Sequence, residues 1–329
     1  MTKSVVTGVA GFVGSHLAER LLGLGHFVIG IDNLSTGKLE NIESFKDNSN
    51  FSFHQVDIRN KVLMKKILND FQPLDYFFHL AAVVSVPFSV EHPEITKETN
   101  YSATVWILSR SRDTRVKTFL HAGSAAEYGN ETRLPIKEEY ATDETQHLSP
   151  YGLTKYLASK HVAASTRPVG ISLRFFNIFG PRQDPSSQYS GVISRFIDQA
   201  LSGNPLTVFG DGEQTRDFIY IEDVIDVYLK AAGIDLGTGK VIIPTGGVYN
   251  VGSSRSISIN ELARIIKTII NPKLPIVHLD PRPGDIRHSL ADITRARKYL
   301  SWEPRWKIED GLSVTVEWYQ KRVLNEKVW

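Results

Sequence analysis

Along the first 180 residues, short apolar runs alternate with longer stretches whose apolar positions recur every three or four residues. KSVVTG (3–8), HFVIGID (26–32), FSFHQVDI (51–58), LDYFFHLAA (74–82), VKTFLHAGS (116–124) and GISLRFFNIFG (170–180) are rich in β-branched and aromatic residues and read as strands. FVGSHLAERLLGLG (12–25) and residues 60–70, 93–112 and 150–165 carry helical spacing between them. Strand–helix alternation predicts an α/β fold, a doubly wound parallel sheet with right-handed crossovers. Past residue 177 the rhythm changes to a turn-rich stretch, GPRQDPSSQYSG (180–191), a helix-like VISRFIDQALSG, and then short strands and helices. The expected division is a first domain over 1–177 and a smaller C-terminal α/β lobe over 178–329, with part of 210–248 returning to the first sheet.

Composition narrows the chemistry. The 329 residues carry a formal charge of +2, so nothing points to nucleic acid or to a membrane surface. Cysteine is absent, which removes disulfides, thiolate catalysis and cysteine metal sites and agrees with a reducing, cytoplasmic setting. The N-terminal residues lack a basic segment followed by an unbroken apolar run, and no stretch reaches 18 apolar residues, so neither a signal peptide nor a membrane span is expected. The ten histidines fall in no metal-binding pattern, and no metal is expected.

The first strand runs directly into Gly8-Val9-Ala10-Gly11-Phe12-Val13-Gly14 and then a helix. Glycines so spaced turn the chain tightly and let a pyrophosphate approach the backbone, while the following helix directs N–H groups and the positive end of its dipole at the anion. Asp32 closes the second strand, where a carboxylate binds both ribose hydroxyls and repels a 2′-phosphate. Together these predict an NAD-binding Rossmann-type domain.

In SPYGLTKYLASKH (149–161), Tyr151 and Lys155 lie four apart and share a helix face. Tyr156 and Lys160 repeat the spacing. Position separates the pairs. Ser149 suits an N-cap and Pro150 the first turn, which puts Tyr151 and Lys155 at the end of the helix facing the ligand edge of the sheet. A nearby ammonium and a cationic nicotinamide both favour a phenolate, so Tyr151 is the candidate base, with Lys155 also available to a ribose. Ser124 ends the fifth strand, where its hydroxyl can bond both Tyr151 and a substrate oxygen. No nucleophile elbow and no Ser-His-Asp arrangement is present.

GVAGFVGSH, HLAA (79–82), Ser124, YGLTK, LRFFNIFGPRQDP (173–185), VFGDGEQTRDFIYIEDV (208–224) and RPGDIRHSLAD (282–292) together resemble the extended short-chain dehydrogenase/reductase family, and among its members the nucleotide-sugar 4-epimerases most closely. The resemblance runs nearly end to end. It implies an NAD site built from Gly8, Gly11, Phe12, Val13, Gly14, Asp32, Asn33, Asp57, Ile58, Leu80, Ala81, Ala82, Asn100, Tyr151 and Lys155, with Asp57 and Ile58 flanking the adenine. On the substrate side it implies Ser85, Val86, Ser124, Ala125, Ala126, Asn177, Val192 and Val208. Arg216 and Arg282 would clamp a diphosphate, for which Arg supplies charge and planar donors, and Asp285 would hold the nucleotide ribose.

Related dehydratases carry an acid two positions before the Tyr-Gly that follows the serine. Ala126 stands there, and Glu127 lies one residue on, which turns its side chain to the other face in an extended segment. Ala126 also departs from the Ser or Thr common in epimerases. The family reading is therefore epimerisation at C4 of a UDP-hexose through a transient 4-keto sugar, by a homodimer. Ser289 matches a family position beside the C2 substituent, where a small residue admits an N-acetyl group, and VSVPFSV (84–90) resembles epimerases accepting such sugars. The expected substrates are UDP-GlcNAc/UDP-GalNAc, with UDP-glucose/UDP-galactose as a second pair. Rival readings are a glucose/galactose-only enzyme, a UDP-glucuronate 4-epimerase and a non-catalytic NAD-binding sensor, the last disfavoured by the presence of Tyr151 and Lys155.

Overall fold

The computed structural model describes residues 1–184, 191–235, 242–281 and 284–326, without the side chains beyond 323. In chain order its strands are β1 (Lys3–Thr7), β2 (Phe27–Asp32), β3 (Phe51–Gln55), β4 (Tyr76–His79), β5 (Thr118–Ser124), β6 (Val169–Phe175), β7 (Asn177–Phe179), β8 (Leu206–Phe209), β9 (Thr215–Tyr220), β10 (Gly247–Val251), β11 (Ser256–Ser258) and β12 (Ile276–Leu279).

Successive side chains of a strand point to opposite faces, and here both faces are covered. Val5, Ile29, Ile31, Phe77 and Phe119 pack with Met64, Ile67 and Leu68 and with Ile107 and Leu108. Their neighbours Val6, Val28, Phe78 and Leu120 pack with Leu17, Ala18 and Leu21 and with Val224 and Tyr228. The first group comes from helices Lys61–Asp70 and Ala103–Asp113, the second from helices Phe12–Gly23 and Ile221–Ala232. Two apolar layers enclosing one sheet explain why these strands read as unbroken hydrophobic runs rather than as alternation.

That sheet has seven strands in the order β10-β6-β5-β4-β1-β2-β3, and all of its pairings are parallel. Its order reverses beside β1, so the carboxyl ends of β1 and β4 open the crevice where ligands bind such sheets. Two further sheets, β11-β9-β7 and β12-β8, form beyond residue 176.

The run expected as one strand over 170–180 is divided. Val169–Phe175 stays in the large sheet as β6, whereas Asn177–Phe179 leaves it to pair with Phe218–Tyr220. The break falls at Phe176, whose N–H donates to Val251 O and whose ring is buried, so two adjacent aromatic residues are interred in different surroundings. The chain later returns to the large sheet as β10, which pairs with β6 from Gly247 to Val251.

Two buried polar residues fasten the later segments. The Asp217 carboxylate accepts from Ser253 N (2.6 Å), Ser253 Oγ (2.7 Å), Ser254 N (3.1 Å) and Ala291 N (3.0 Å). Asn250 donates through Nδ2 to Ile136 O and Asp292 O and accepts at Oδ1 from Tyr128 OH. Neither side chain is measurably exposed. Removing the Asp217 acceptor strands three backbone N–H groups away from water. Asp217→Ala should therefore lower the unfolding free energy by about 3 kcal/mol or more, to be read from urea denaturation followed by circular dichroism.

Candidate active site

The glycine loop is shaped by close backbone approach. Gly8 has φ +73°, and a Cβ there would stand 2.9 Å from Ala81 N; a Cβ on Gly14 would stand 2.0 Å from Gly8 O. The helix that follows begins at Phe12, has Gly11 as its cap with no side-chain hydrogen bond, and carries no acidic residue in its first turn. The N–H groups of Phe12 and Val13 therefore lack both an intrahelical and a side-chain acceptor and are set to receive an anion.

Asp32 lies beside this loop. It accepts from Ala10 N at 3.0 Å and Leu34 N at 2.8 Å, and burial raises its pKa while those two bonds oppose the rise. Gly37 closes against it, since a Cβ there would be 2.9 Å from both carboxylate oxygens. Asn33 Nδ2 donates to Asp57 at 3.1 Å. Hydrogen bonding to Arg59 holds the Asp57 carboxyl down at about 2. Ile58 is buried next to it. The ends of β2 and β3 thus bring Asp32, Asn33, Asp57 and Ile58 together as one polar and apolar margin.

Past β4, Leu80 N and Ala81 N both donate to Thr7 Oγ1 at 3.2 Å, and Ala81 and Ala82 are half-buried. Asn100, almost wholly buried, accepts from Val83 N at 2.8 Å and donates to Val83 O at 2.9 Å, so it clamps the strand-to-helix turn by both edges of one peptide. The half-exposed and exposed Val84 and Val86 follow, with Ser85 capping the helix Val86–Glu91 through Phe88 N.

Helix Pro150–Ala163 starts as its sequence predicts, with Ser149 accepting from Gly152 N and proline in the first turn. Ser89 Oγ, fully buried, accepts from Tyr151 N at 3.1 Å and fixes the start of this helix to its neighbour. Lys155 Nζ donates to Ala122 O at 2.9 Å and lies 6.0 Å from the centroid of the Tyr151 ring. The Ser124 hydroxyl is near enough to the Tyr151 phenol to favour its ionised form, and Lys155 stands beside the same ring, so the three candidate catalytic side chains gather together. Tyr156 OH and Lys160 Nζ instead both donate to Asp143, so the repeated pair makes a separate contact.

The electrostatics amend the expectation for Tyr151. Burial raises the phenol pKa, and the Ser124 hydrogen bond only partly offsets it. Burial also lowers Lys155 from 10.5 to about 8, opposed by the negative charge of Glu127. In the protein alone desolvation, aided by the negative charge of Glu127, outweighs the Ser124 hydrogen bond, and a positive charge brought by a ligand would favour the phenolate.

On the substrate side, a cavity of about 670 Å³ is lined by Phe209, Gly210, Gln214, His278, Leu279 and Asp285 among others, a size suited to a small-molecule ligand. The adjoining Val208 turns the other way and is fully buried in the core, because period-2 alternation along β8 delivers Phe209 rather than Val208 to the cavity. Arg216 and Asp285 are ion-paired to one another, and Arg216 Nη1 also donates to Thr215 O at 2.8 Å. Ser289 is 8% exposed and bonds through its N–H to Thr215 O. Asn177 is exposed at the start of β7, Val192 half-buried at the start of helix Val192–Leu201, and Ala125 and Ala126 half-buried beside Ser124. Arg282 lies outside the described residues.

Sequence reasoning passed over Thr7, Ser89, Phe209 and Gln214. Thr7 and Ser89 act through backbone groups and leave no spacing signal. Phe209 and Gln214 stand inside the VFGDGEQTRDF stretch and could have been chosen by strand alternation from β8.

The uncapped helix terminus, the Gly8–Gly14 cradle and the Asp32 carboxylate form a donor and acceptor set that fits a dinucleotide. A profile of the NAD dependent epimerase/dehydratase family matches residues 4–252. A UDP-glucose 4-epimerase of Mycolicibacterium smegmatis is 34% identical over 97% of this chain and 99% of its own. A UDP-N-acetylglucosamine 4-epimerase from Methanobrevibacter ruminantium, solved in complex with UDP-N-acetylmuramic acid, superposes with TM-score 0.88 at 35% identity over 98% of this chain and 99% of its own. A UDP-glucuronic acid 4-epimerase from Bacillus cereus, solved with UDP-glucuronic acid and NAD, does so with TM-score 0.84 at 32% identity over 98% of this chain and all of its own.

Lys155 supplies a measurable consequence of the electrostatics. Its folded pKa of about 8 lies below the unfolded value of 10.5, so the unfolded chain binds the extra proton. The penalty is complete below about pH 8 and disappears as pH rises towards 10.5. Lys155→Met should stabilise the cofactor-free protein at pH 7 by about 1–3 kcal/mol. The gap between wild type and variant should close towards pH 10 in paired denaturant titrations.

Proposed function

Because the chain belongs to the NAD dependent epimerase/dehydratase family, we propose that it is a 4-epimerase of UDP-hexoses, acting on UDP-GlcNAc/UDP-GalNAc and also on UDP-glucose/UDP-galactose. The observation that carries the reading is the meeting of Ser124, Tyr151 and Lys155 at the carboxyl edge of the sheet, in a chain that also has an Arg216–Asp285 pair beside a nucleotide-sized cavity. Bound in the glycine cradle, NAD supplies a reversible acceptor for the hydride of a sugar carbon. Tyr151 takes the proton of the sugar 4-hydroxyl, Ser124 bonds that same oxygen, and Lys155 stabilises the phenolate. Arg216 holds the diphosphate, so the reactive 4-keto sugar stays on the protein while its ring turns to present the other face. Tyr151 then returns the proton.

The absence of a free acid argues against dehydration. Glu127 is wholly buried and ion-paired with Arg174 at 2.5 Å, and Ala125 and Ala126 bring no carboxylate. The N-acetylated sugars are favoured by the small Ser289 and by the likeness to a relative named for UDP-N-acetylglucosamine. Association as a homodimer is supported by helices Val86–Glu91, Pro93–Lys97 and Pro150–Ala163, which leave Val86, Val90, Ile95 and Leu153 exposed; a second copy would cover them.

Incubation with UDP-GlcNAc, UDP-glucose and UDP-glucuronate, followed by chromatography of the products, tests the substrate reading. Conversion of the first two is expected, and UDP-GlcNAc left unchanged while UDP-glucose turns over would overturn it. Tyr151→Phe should retain NAD and lose turnover by about a hundredfold or more. Ser289→Tyr should abolish conversion of UDP-GlcNAc while UDP-glucose is still epimerised within about tenfold of the wild-type rate, measured as kcat/KM for each sugar.

A further inference from the structure

Directly behind Ser124 lies a charged group that the reaction does not consume. Glu127 has no exposed surface. Its Oε1 accepts from Ser124 N at 2.9 Å and from Ser159 Oγ at 2.7 Å, and its Oε2 accepts from Arg174 Nε at 2.5 Å. Ser124 ends β5, whereas Ser159 lies one turn beyond Lys155 on the helix that carries Tyr151. A single carboxylate oxygen therefore joins the strand bearing one candidate catalytic residue to the helix bearing the other two. Arg174 extends from β6 and holds the second oxygen, while its Nη1 donates to Glu138 O at 2.9 Å and to Tyr128 OH at 3.2 Å.

The sequence makes room for this arrangement. Gly123 precedes Ser124, and a Cβ there would stand 2.8 Å from Glu127 Oε1 and 2.9 Å from Ser172 Oγ. Any larger residue would displace the carboxylate from the strand. Ser172 continues the chain of bonds, with Ser159 Oγ at 2.8 Å and His121 Nδ1 at 3.0 Å.

We propose that Glu127 is a positioning residue that sets the separation of Ser124 from Tyr151 and Lys155 through the shared acceptor Oε1, with Arg174 holding its carboxylate in place. This rests on the assignment of those three residues to proton transfer. An ion pair of this depth is weak evidence for stability, since its desolvation cost can match its attraction. Its placement is what matters. A hydroxyl and a phenol that share a substrate proton must keep their spacing to within a fraction of an ångström, and the Lys155 Nζ bond to Ala122 O, which also links this helix to β5, does not reach Ser124.

Removing one partner of a buried pair can unfold the chain, so the test exchanges both. In Glu127→Gln/Arg174→Gln the amide oxygen still accepts from Ser124 N and Ser159 Oγ. In Glu127→Leu/Arg174→Leu the site is filled but the tether is gone. With UDP-glucose or UDP-GlcNAc, whichever the wild type converts, the Gln pair should retain kcat within about threefold. The Leu pair should lose about tenfold or more in kcat while KM stays within about twofold and NAD is retained. Equal kcat in the two double variants, or a loss carried mainly by KM, overturns the proposal. Should either double variant fail to fold, Ser159→Ala removes one arm of the tether alone and should lower kcat about threefold or more at constant KM; unchanged kcat overturns the proposal. Tyr151→Phe is the control for the underlying reading. If that variant stays active, the assignment of the base has failed; if it is inactive and the Leu pair is not impaired, only the role of Glu127 has failed.

Discussion

On the proposed function, the chemistry of the site depends on the buried ammonium of Lys155. Only a twentieth of its surface or less reaches solvent, its direct partner is the neutral carbonyl of Ala122, and the negative charge of Glu127 that bears on it is itself committed to Arg174. Such a charge costs the folded chain free energy that a surface lysine would not. The phenol beside it is held neutral, since burial raises its pKa. A cation buried against a neutral carbonyl is unfavourable in the protein alone, and a neutral buried phenol gives up its proton only when positive charge is brought to it. On the proposed function, an oxidised dinucleotide would bring that positive charge to the phenol and its ribose hydroxyls to the lysine.

Around that centre the parallel sheet acts as a platform. Its strands end on one edge, and β1, β2, β4 and β5 each deliver a group there: the glycine loop, Asp32, the Leu80–Ala82 turn and Ser124. Polar residues just below the edge secure the turns by their backbones. Thr7 holds Leu80 and Ala81, Asn100 holds Val83, and Ser89 holds Tyr151. None of these side chains needs to touch a ligand to decide where one sits.

Strands β1 to β6 and the residues at their ends were legible because they rest on local rules, whereas β10 was anticipated only as a return to the sheet from part of 210–248. Paired apolar layers give unbroken hydrophobic runs, and Gly8, Asp32, Ser149 and Pro150 carry their roles in type and spacing. What stayed hidden depends on contacts far apart in sequence. The break at Phe176 is decided by β10 and β9, some 40–75 residues on. Glu127 looked like a displaced acid until Arg174 and Ser159, from two other elements, appeared around it. The rise in the Tyr151 pKa is also beyond spacing, since a four-residue interval places the ammonium but says nothing of how dry its surroundings are.

The nucleotide end of the site follows a different logic from the chemical end. Arg216 and Asp285, each suited to a different part of a nucleotide, are bonded to each other, and Arg287 makes a bidentate pair with Asp211 on the same cavity. Each of these guanidinium groups is thus matched by a carboxylate. On the proposed function a diphosphate would compete with Asp285 for Arg216, bringing two charges and several acceptors against one carboxylate. Asp285, so released, would be available to accept from a ribose hydroxyl. An exchange of partners of this kind favours a ligand that offers an anion and a diol at the right separation, and a bare anion, which satisfies Arg216 but leaves Asp285 without a donor, gains less.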